Sequence, residues 1–249
     1  MAAGNPKKRL DILLTERNLA PTRLRSRHLI LSGKVLVNKI PVFKSGRMVS
    51  AIDDIRIKDE DIPYVSRGGL KLSHALAHFN IDVSHLVCLD VGASTGGFTD
   101  CLLQAGASHV FAVDVGYGQL AWKLRTDSRV TVIERANIRY LEPDALACPV
   151  DLAVIDASFI SLKIVVPAAM KFMKTPSRVL ALIKPQFEVG KGKVGKGGIV
   201  RDPALKVEVI EELLRFFVRM GLHPEGVIPS PISGAKGNEE FMISLKQDV

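Results

Sequence analysis

The sequence predicts an α/β protein: a mostly parallel, seven-stranded sheet with helices on both faces, preceded by a small basic α+β unit. Three observations carry that prediction. From about residue 66 onward, short apolar runs bounded by turn residues alternate with helix-period segments, the order that βαβ units impose. One such run, Leu86-Val-Cys-Leu-Asp90, stops at a carboxylate and gives way to the glycine-rich turn Gly92-Ala-Ser-Thr-Gly-Gly-Phe98. Finally, the first fifty residues hold eleven Lys or Arg against only Asp11 and Glu16, a net of +9, while the whole chain carries +8. The basic surface therefore belongs to the first unit, and a basic module beside a near-neutral larger domain suits a polyanionic partner.

In chain order, 9–16 reads as a short helix with Leu10, Leu13 and Leu14 inward, and Thr22 caps a second helix that carries Arg23, Arg25 and Arg27. Gly33 stops that helix, and Lys34-Val-Leu-Val-Asn38 is a strand turning at Asn38-Lys39 into Ile40-Pro-Val-Phe43. The first domain is expected over 1–60, an acidic linker broken by Pro63 over 61–65, and the second domain over 66–249. In the latter, strands are expected over 86–90, 110–114, 130–134, 151–155, 179–183, 226–229 and 240–245. Helices are expected over 69–78, 99–105, 120–125, 162–173 and 203–220. Runs such as Leu152-Ala-Val-Ile155 are apolar throughout, as strands covered on both faces require.

The glycine turn defines a candidate cofactor site. Gly92, Gly96 and Gly97 remove side chains where the backbone must turn sharply and approach a ligand, although strand-to-helix turns also use glycine for purely steric reasons. The turn is not the G-x-G-x-x-G dinucleotide fingerprint, because Ser94 stands at its third position. Asp90, just ahead of the turn, would repel a pyrophosphate and attract a cationic, phosphate-free ligand such as S-adenosylmethionine. Asp114 ends the next strand, where such folds place a carboxylate on ribose hydroxyls. The cofactor candidates are thus Asp90, Gly92, Ala93, Ser94, Thr95, Gly96, Gly97, Phe98, Asp114 and Val115.

Other classes are disfavoured. The start of the chain has no apolar h-region, and no apolar run approaches the length of a membrane span, so a soluble, cytoplasmic protein is expected. Cys88, Cys101 and Cys148 form no C-x-x-C pair and read as buried, reduced thiols, and His74 and His78 lack companion metal ligands, so neither disulfide nor metal is expected. The segment 186–202 interleaves five glycines with Lys191, Lys193 and Lys196, which predicts an irregular loop able to meet a phosphate backbone. Asp156 and Lys184 each end an apolar strand and would stand beside the cofactor turn, either as a reaction centre or as an ordinary ion pair.

Two family resemblances sharpen this. Arg9-Leu-Asp11, the Arg-rich second helix, Leu29-Ile-Leu-Ser-Gly-Lys-Val-Leu-Val-Asn38 and Asp53-Asp-Ile-Arg-Ile57 resemble an S4-type RNA-binding domain. Tyr64-Val-Ser-Arg-Gly-Gly-Leu-Lys71, the glycine turn, Ala112-Val-Asp-Val-Gly-Tyr-Gly-Gln-Leu-Ala-Trp-Lys-Leu-Arg125, Asp156-Ala-Ser-Phe-Ile-Ser-Leu162 and Lys184-Pro-Gln-Phe-Glu-Val-Gly190 resemble the TlyA (hemolysin A) family along nearly the whole chain. That resemblance implies a Rossmann-like, FtsJ-like S-adenosylmethionine-dependent methyltransferase domain that 2′-O-methylates ribosomal RNA, without a metal. It further implies a catalytic set of Lys71, Asp156, Lys184 and Glu240, adenine held near Asn137 and Ile138, and rRNA or a ribosomal subunit as partner. RNA contacts are expected from Arg9, Arg23, Arg25, Arg27, Lys34, Lys39, Arg67, Lys191, Lys193 and Lys196. Lys184 is the expected base, with Lys71 holding the ribose and the two carboxylates orienting the lysines. Glu239 and Glu240 should point to opposite faces of a strand, so only one can reach the site. The short start and the end soon after Leu245 resemble family members that act on 23S rRNA, with longer members also modifying 16S rRNA. Two alternatives remain: a non-catalytic RNA-binding assembly factor, and the haemolytic role in the family name, for which the sequence offers no long amphipathic cationic helix. A nicotinamide enzyme is disfavoured by the missing fingerprint.

Overall fold

Leu10, Leu13 and Leu14, spaced to share one helix face, are all buried in α1 (Leu10–Glu16), and Leu29 and Ile30 of α2 (Arg23–Leu31) close the same core. They belong to the first of two compact units, residues 1–62 and 63–249, of a computed structural model that describes residues 7–57, 62–190, 192, 194–195 and 197–248. The Thr22 side chain accepts from the Arg25 N–H at 3.2 Å and so starts α2. β1 (Lys7–Arg9) leads into α1, and β2 (Val35–Val37) turns into β3 (Ile40–Pro41) through Asn38 and Lys39, both at positive φ as a two-residue hairpin turn demands. β4 (Met48–Ser50) pairs antiparallel with β1, while β5 (Ile55–Ile57) joins β2 and β3 in a three-stranded sheet.

The second unit runs α3 (Gly68–His78), β6 (Val87–Val91), α4 (Gly97–Gln104), β7 (His109–Val113), α5 (Trp122–Arg125) and β8 (Val130–Ile133). It continues through β9 (Val150–Ile155), α6 (Leu162–Met170), β10 (Met173–Ile183), α7 (Pro185–Glu188), α8 (Pro203–Arg219), β11 (His223–Pro229) and β12 (Phe241–Gln247). The seven strands form one sheet in the order β11-β12-β10-β9-β6-β7-β8. The five strands from β10 to β8 are parallel, and β12 runs antiparallel to both of its neighbours. Successive residues alternate faces: Leu89, Val91, Ala153 and Ile155 join the core under α6 and α8, while Cys88, Leu152 and Val154 join the core under α3 and α4. The order reverses between β6 and β9, which opens a crevice beyond their carboxyl ends.

Several expected boundaries move. The helix expected over 162–173 ends at Met170, because Met173 already pairs with Val150; pairing with β9 then resumes only at Arg178, and the intervening Pro176 disguises the strand. β11 starts at His223 rather than 226, again behind a proline and a register shift. α5 starts at Trp122, and β12 at Phe241, so Glu240 precedes the strand. The stretch expected to be wholly irregular opens with α7, for which Pro185 sits at a first-turn position where its missing N–H costs nothing. Among the described residues no helix is long and apolar enough to cross a membrane.

Candidate active site

The end of β6 and the turn after it form the floor of the crevice. Gly92 takes φ +86°, and a Cβ there would come within 2.8 Å of the Asp156 carbonyl oxygen, so the turn can pass this close only as glycine. Gly96, at φ +96°, is the N-cap of α4. The Asp114 carboxylate accepts the backbone N–H of Ser94 at 2.8 Å and of Gly116 at 2.7 Å, tying the β6 and β7 turns together. Beside them opens a cavity of about 800 Å³, lined by Gly92, Ser94, Asp114, Val115, Asn137 and Ile138 among others. Ala93, Thr95, Gly97 and Phe98 line a second cleft, of about 350 Å³, together with Arg67, Lys71 and Lys184. Gly92, Ser94, Asp156 and Ser158 border both spaces. Gly96 borders neither and backs onto Leu120 and Leu124.

Asp90 also borders neither cavity, contrary to its expected place facing a cationic ligand. It shares the strand face of Cys88 and is fully buried under α4, where one carboxylate oxygen accepts the Thr99 hydroxyl at 2.6 Å and the other has no partner. Burial pushes this carboxyl up to about 7. Its place follows from strand alternation: it braces the first turn of α4 from behind.

The other charged candidates meet in the smaller cleft. Lys71 Nζ lies 2.6 Å from Glu240 Oε2 and 3.9 Å from Asp156 Oδ2. Lys184 Nζ lies 2.6 Å from Asp156 Oδ1 and donates to Ser158 Oγ at 2.9 Å. Four alternating charges thus form one chain, Glu240–Lys71–Asp156–Lys184, drawn from a strand start, a helix and two strand ends. Lys71, Lys184 and Glu240 are buried, whereas Asp156 keeps 22% of its side chain exposed toward the cavities. The choice between neighbouring glutamates is resolved sterically. Gly234, without a Cβ, leaves room for the Glu240 carboxylate, while Glu239 points outward, 65% exposed, and pairs with Lys206 at 2.7 Å.

Sequence reasoning missed three residues. Ser158, two positions past Asp156, holds Lys184. Glu188 accepts from the Ser161 hydroxyl at 2.6 Å and the Leu162 N–H at 2.8 Å, joining the loop after β9 to α7. Burial raises the Glu188 carboxyl above the usual carboxylate range. Asn238, buried two positions before Glu240, accepts from the Val200 N–H and donates to the Gly198 carbonyl, anchoring the glycine-rich loop beside the site. Ser158 and Glu188 fall inside the motif strings that flank Asp156 and Lys184, but only their contacts reveal their roles. Phe159 stands 91% exposed at the larger cavity, with its ring 4.9 Å from that of Phe187.

Of the residues expected to meet RNA, Arg67 lines the smaller cleft. In the first unit Arg9 and Arg23 share the Asp11 carboxylate, Arg27 and Lys39 are exposed, and Arg25 and Lys34 are half-buried. Lys191, Lys193 and Lys196 lie outside the described residues. Among the described residues no group of three or more His, Cys, Asp or Glu could hold a metal ion.

Comparison with known proteins adds independent findings. Residues 64–247 match the FtsJ-like methyltransferase family and residues 8–55 match the S4 domain. The chain is 46% identical over 241 residues to the 16S/23S rRNA (cytidine-2′-O)-methyltransferase TlyA of Mycobacterium tuberculosis, covering 96% of this chain and 90% of that protein. It is 39% identical to hemolysin A of Brachyspira hyodysenteriae, covering 94% of this chain and 98% of that one. A solved structure of a candidate hemolysin from Streptococcus thermophilus superposes with a TM-score of 0.76 at 43% identity, over 98% of this chain and 89% of the other.

Proposed function

This chain belongs to the FtsJ-like methyltransferase family and carries an S4 domain; on that footing we propose that it methylates the 2′-hydroxyl of a cytidine ribose in ribosomal RNA, using S-adenosylmethionine, with 23S rRNA favoured over 16S rRNA as the substrate. The observation that carries this reading is the chain of alternating charges beside the glycine turn, three of its four groups buried. The 46% identity to a protein named for that reaction supports the substrate class. An rRNA substrate puts the enzyme in the cytoplasm.

The residues present fit S-adenosylmethionine. The larger cavity joins the carboxylate of Asp114 and the amide of Asn137 to the apolar Val115 and Ile138, a set suited to a ribose diol and an adenine. Asp114 already accepts two backbone N–H groups, yet its two oxygens keep lone pairs for ribose hydroxyls. Gly92 borders both cavities, and its missing side chain lets the turn pass close against the Asp156 backbone. When bound, S-adenosylmethionine supplies a methyl group made electrophilic by its sulfonium.

The chain's own residues prepare the acceptor. A ribose hydroxyl attacks poorly until its proton is taken, and Lys184 is the group assigned to take it, as the free amine left once its ammonium has passed a proton to solvent, its nitrogen fixed by Asp156 and Ser158. Lys71, held by Glu240, faces the other oxygen of Asp156 and steadies the ribose oxygen. Asp156 and Ser158 border both cavities, so they would stand between a methyl donor held in one and a hydroxyl held in the other, and holding the two in line would remove much of the entropic barrier.

The test is methyl transfer from labelled S-adenosylmethionine to 23S and 16S rRNA, as naked RNA and as subunits, by the wild type and by Lys184→Ala. Label found on ribose and lost in Lys184→Ala is the expected result. Tight rRNA binding with no transfer to any substrate would replace the enzyme with a non-catalytic assembly factor.

A further inference from the structure

We infer that Asp11 is a positioning residue for RNA binding, a buried carboxylate that presets Arg9 and Arg23 as one two-guanidinium fork for a backbone phosphate; this rests on the reading of the chain as an rRNA-binding enzyme. Asp11 sits in the first turn of α1 with none of its side chain exposed. Its Oδ1 accepts from Arg9 Nε at 3.0 Å, and its Oδ2 accepts from Arg9 Nη2 at 3.0 Å and from Arg23 Nε at 3.1 Å. Two cations from separate elements, one ahead of α1 and one opening α2, therefore converge on a single oxygen. Asp11 faces inward, but the arginine side chains remain 43% and 56% exposed, so the cluster shows solvent only its positive part.

The surrounding backbone supports the same arrangement. The Leu10 N–H bonds the Arg47 carbonyl at 2.9 Å and the Asp11 N–H bonds the Ser45 carbonyl at 3.2 Å, fixing the helix start against the turn before β4. In that turn Gly46 lies under Arg9, where a Cβ would come within 3.2 Å of Nη1. An acidic residue in a first helical turn commonly serves the helix dipole alone. Here the three side-chain bonds of Asp11 all come from guanidinium groups whose outer edges stay open. A free arginine loses rotamer freedom when it docks on a phosphate, and a preset one loses less.

The sign of the effect separates this role from plain electrostatics. Removing a negative charge from a basic surface should tighten binding to a polyanion. If Asp11 works by presetting the fork, Asp11→Asn instead weakens it, by about five- to ten-fold at fixed salt. The measurement is filter binding of the full-length chain to labelled 23S rRNA. The panel comprises the wild type, Asp11→Asn, the Arg9→Ala/Arg23→Ala double variant, that double variant with Asp11→Asn added, and Glu16→Gln as an exposed-acid control. Asp11→Asn is expected to weaken binding, Glu16→Gln not to, and the Asp11 effect to vanish once both arginines are gone. Binding by Asp11→Asn as tight as wild type or tighter overturns the proposal, as does a loss that persists without the arginines, which would make Asp11 merely structural. Should Asp11→Asn fail to fold, the Arg9→Lys/Arg23→Lys variant decides, because it keeps the charge and loses the two-pronged geometry; unchanged affinity there overturns the proposal. Failure of the underlying reading looks different: the wild type itself would not bind rRNA.

Discussion

At the scale of single residues, Glu239 and Glu240 are chemically identical neighbours with opposite surroundings. Glu240 is buried against Lys71, whereas Glu239 meets only Lys206 at the surface. Glu240→Gln leaves Lys71 with a neutral partner in a buried place and should lower kcat by about 10²-fold or more, the scale of a disturbed acid–base group, while Glu239→Gln stays near wild type. Steady-state methyl-transfer rates of the two variants decide this; equal rates would remove Glu240 from the site. Asp90 makes a second prediction, about stability. Its folded value of about 7 lies above the unfolded value of 3.8, so the native state binds the extra proton between those limits. Its contribution is fully present below pH 3.8 and is lost as pH rises through 7. The wild type should therefore lose more thermal stability than Asp90→Asn between pH 5 and pH 8, by up to a few kcal/mol (~1.4 kcal/mol per pKa unit). Melting curves of the two proteins that run parallel over that range would contradict the shift.

At the scale of elements, the site depends on loops being held to one another, and this is where the sequence was only partly readable. The apolar runs at β6, β7 and β9 and the amphipathic α3 and α8 were visible because period and burial coincide, so the strand ends bearing Asp114, Asp156 and Lys184 could be located in advance. Asp90 lies behind the cavities because a strand-end carboxylate can face either side of a sheet, and only its alternation with Val91, in register with Ala112 and Val154, fixes which. The start of β10 was hidden by Pro176, and the antiparallel entry of β12 is not encoded in any run of residues. Glu188 was invisible because its role is a contact across 27 positions rather than a pattern. It caps the start of α6 through Ser161 and Leu162, and this cap ties the loop after Asp156 to the turn after Lys184. Glu188→Ala should cost about 1–2 kcal/mol of stability, as lost caps and buried hydrogen bonds do. It should also lower kcat more than it raises KM for rRNA, since the reacting groups shift while the RNA-binding surface is untouched. Denaturant titration alongside initial-rate kinetics measures both, and an unchanged kcat would mean the tie is structural only.

At the scale of the whole molecule, the charge is divided between two tasks. The first fifty residues carry a net +9 and the remaining 199 are near neutral, so affinity for a polyanion is concentrated in a different unit from the one that holds the reaction centre. Two ligands should then respond differently to salt. Ribosomal RNA binding releases counterions, and if the basic surface neutralises about six phosphates, affinity should fall about 10³-fold between 50 and 200 mM salt. S-adenosylmethionine, held in a cavity by Asp114, Asn137 and apolar side chains, displaces no such ion atmosphere, so its affinity should barely change over the same range. Replacing Arg27 and Lys39, both exposed on the first unit, should flatten the logarithmic salt slope for RNA by about one to two and leave cofactor affinity as it was. Calorimetric titration of the cofactor beside filter binding of rRNA over the same salt series reads both slopes. A steep slope for the cofactor would mean that the first unit's charge also serves the small ligand. A flat slope for RNA would mean that shape and base contacts, rather than the basic surface, bring the substrate to Lys184.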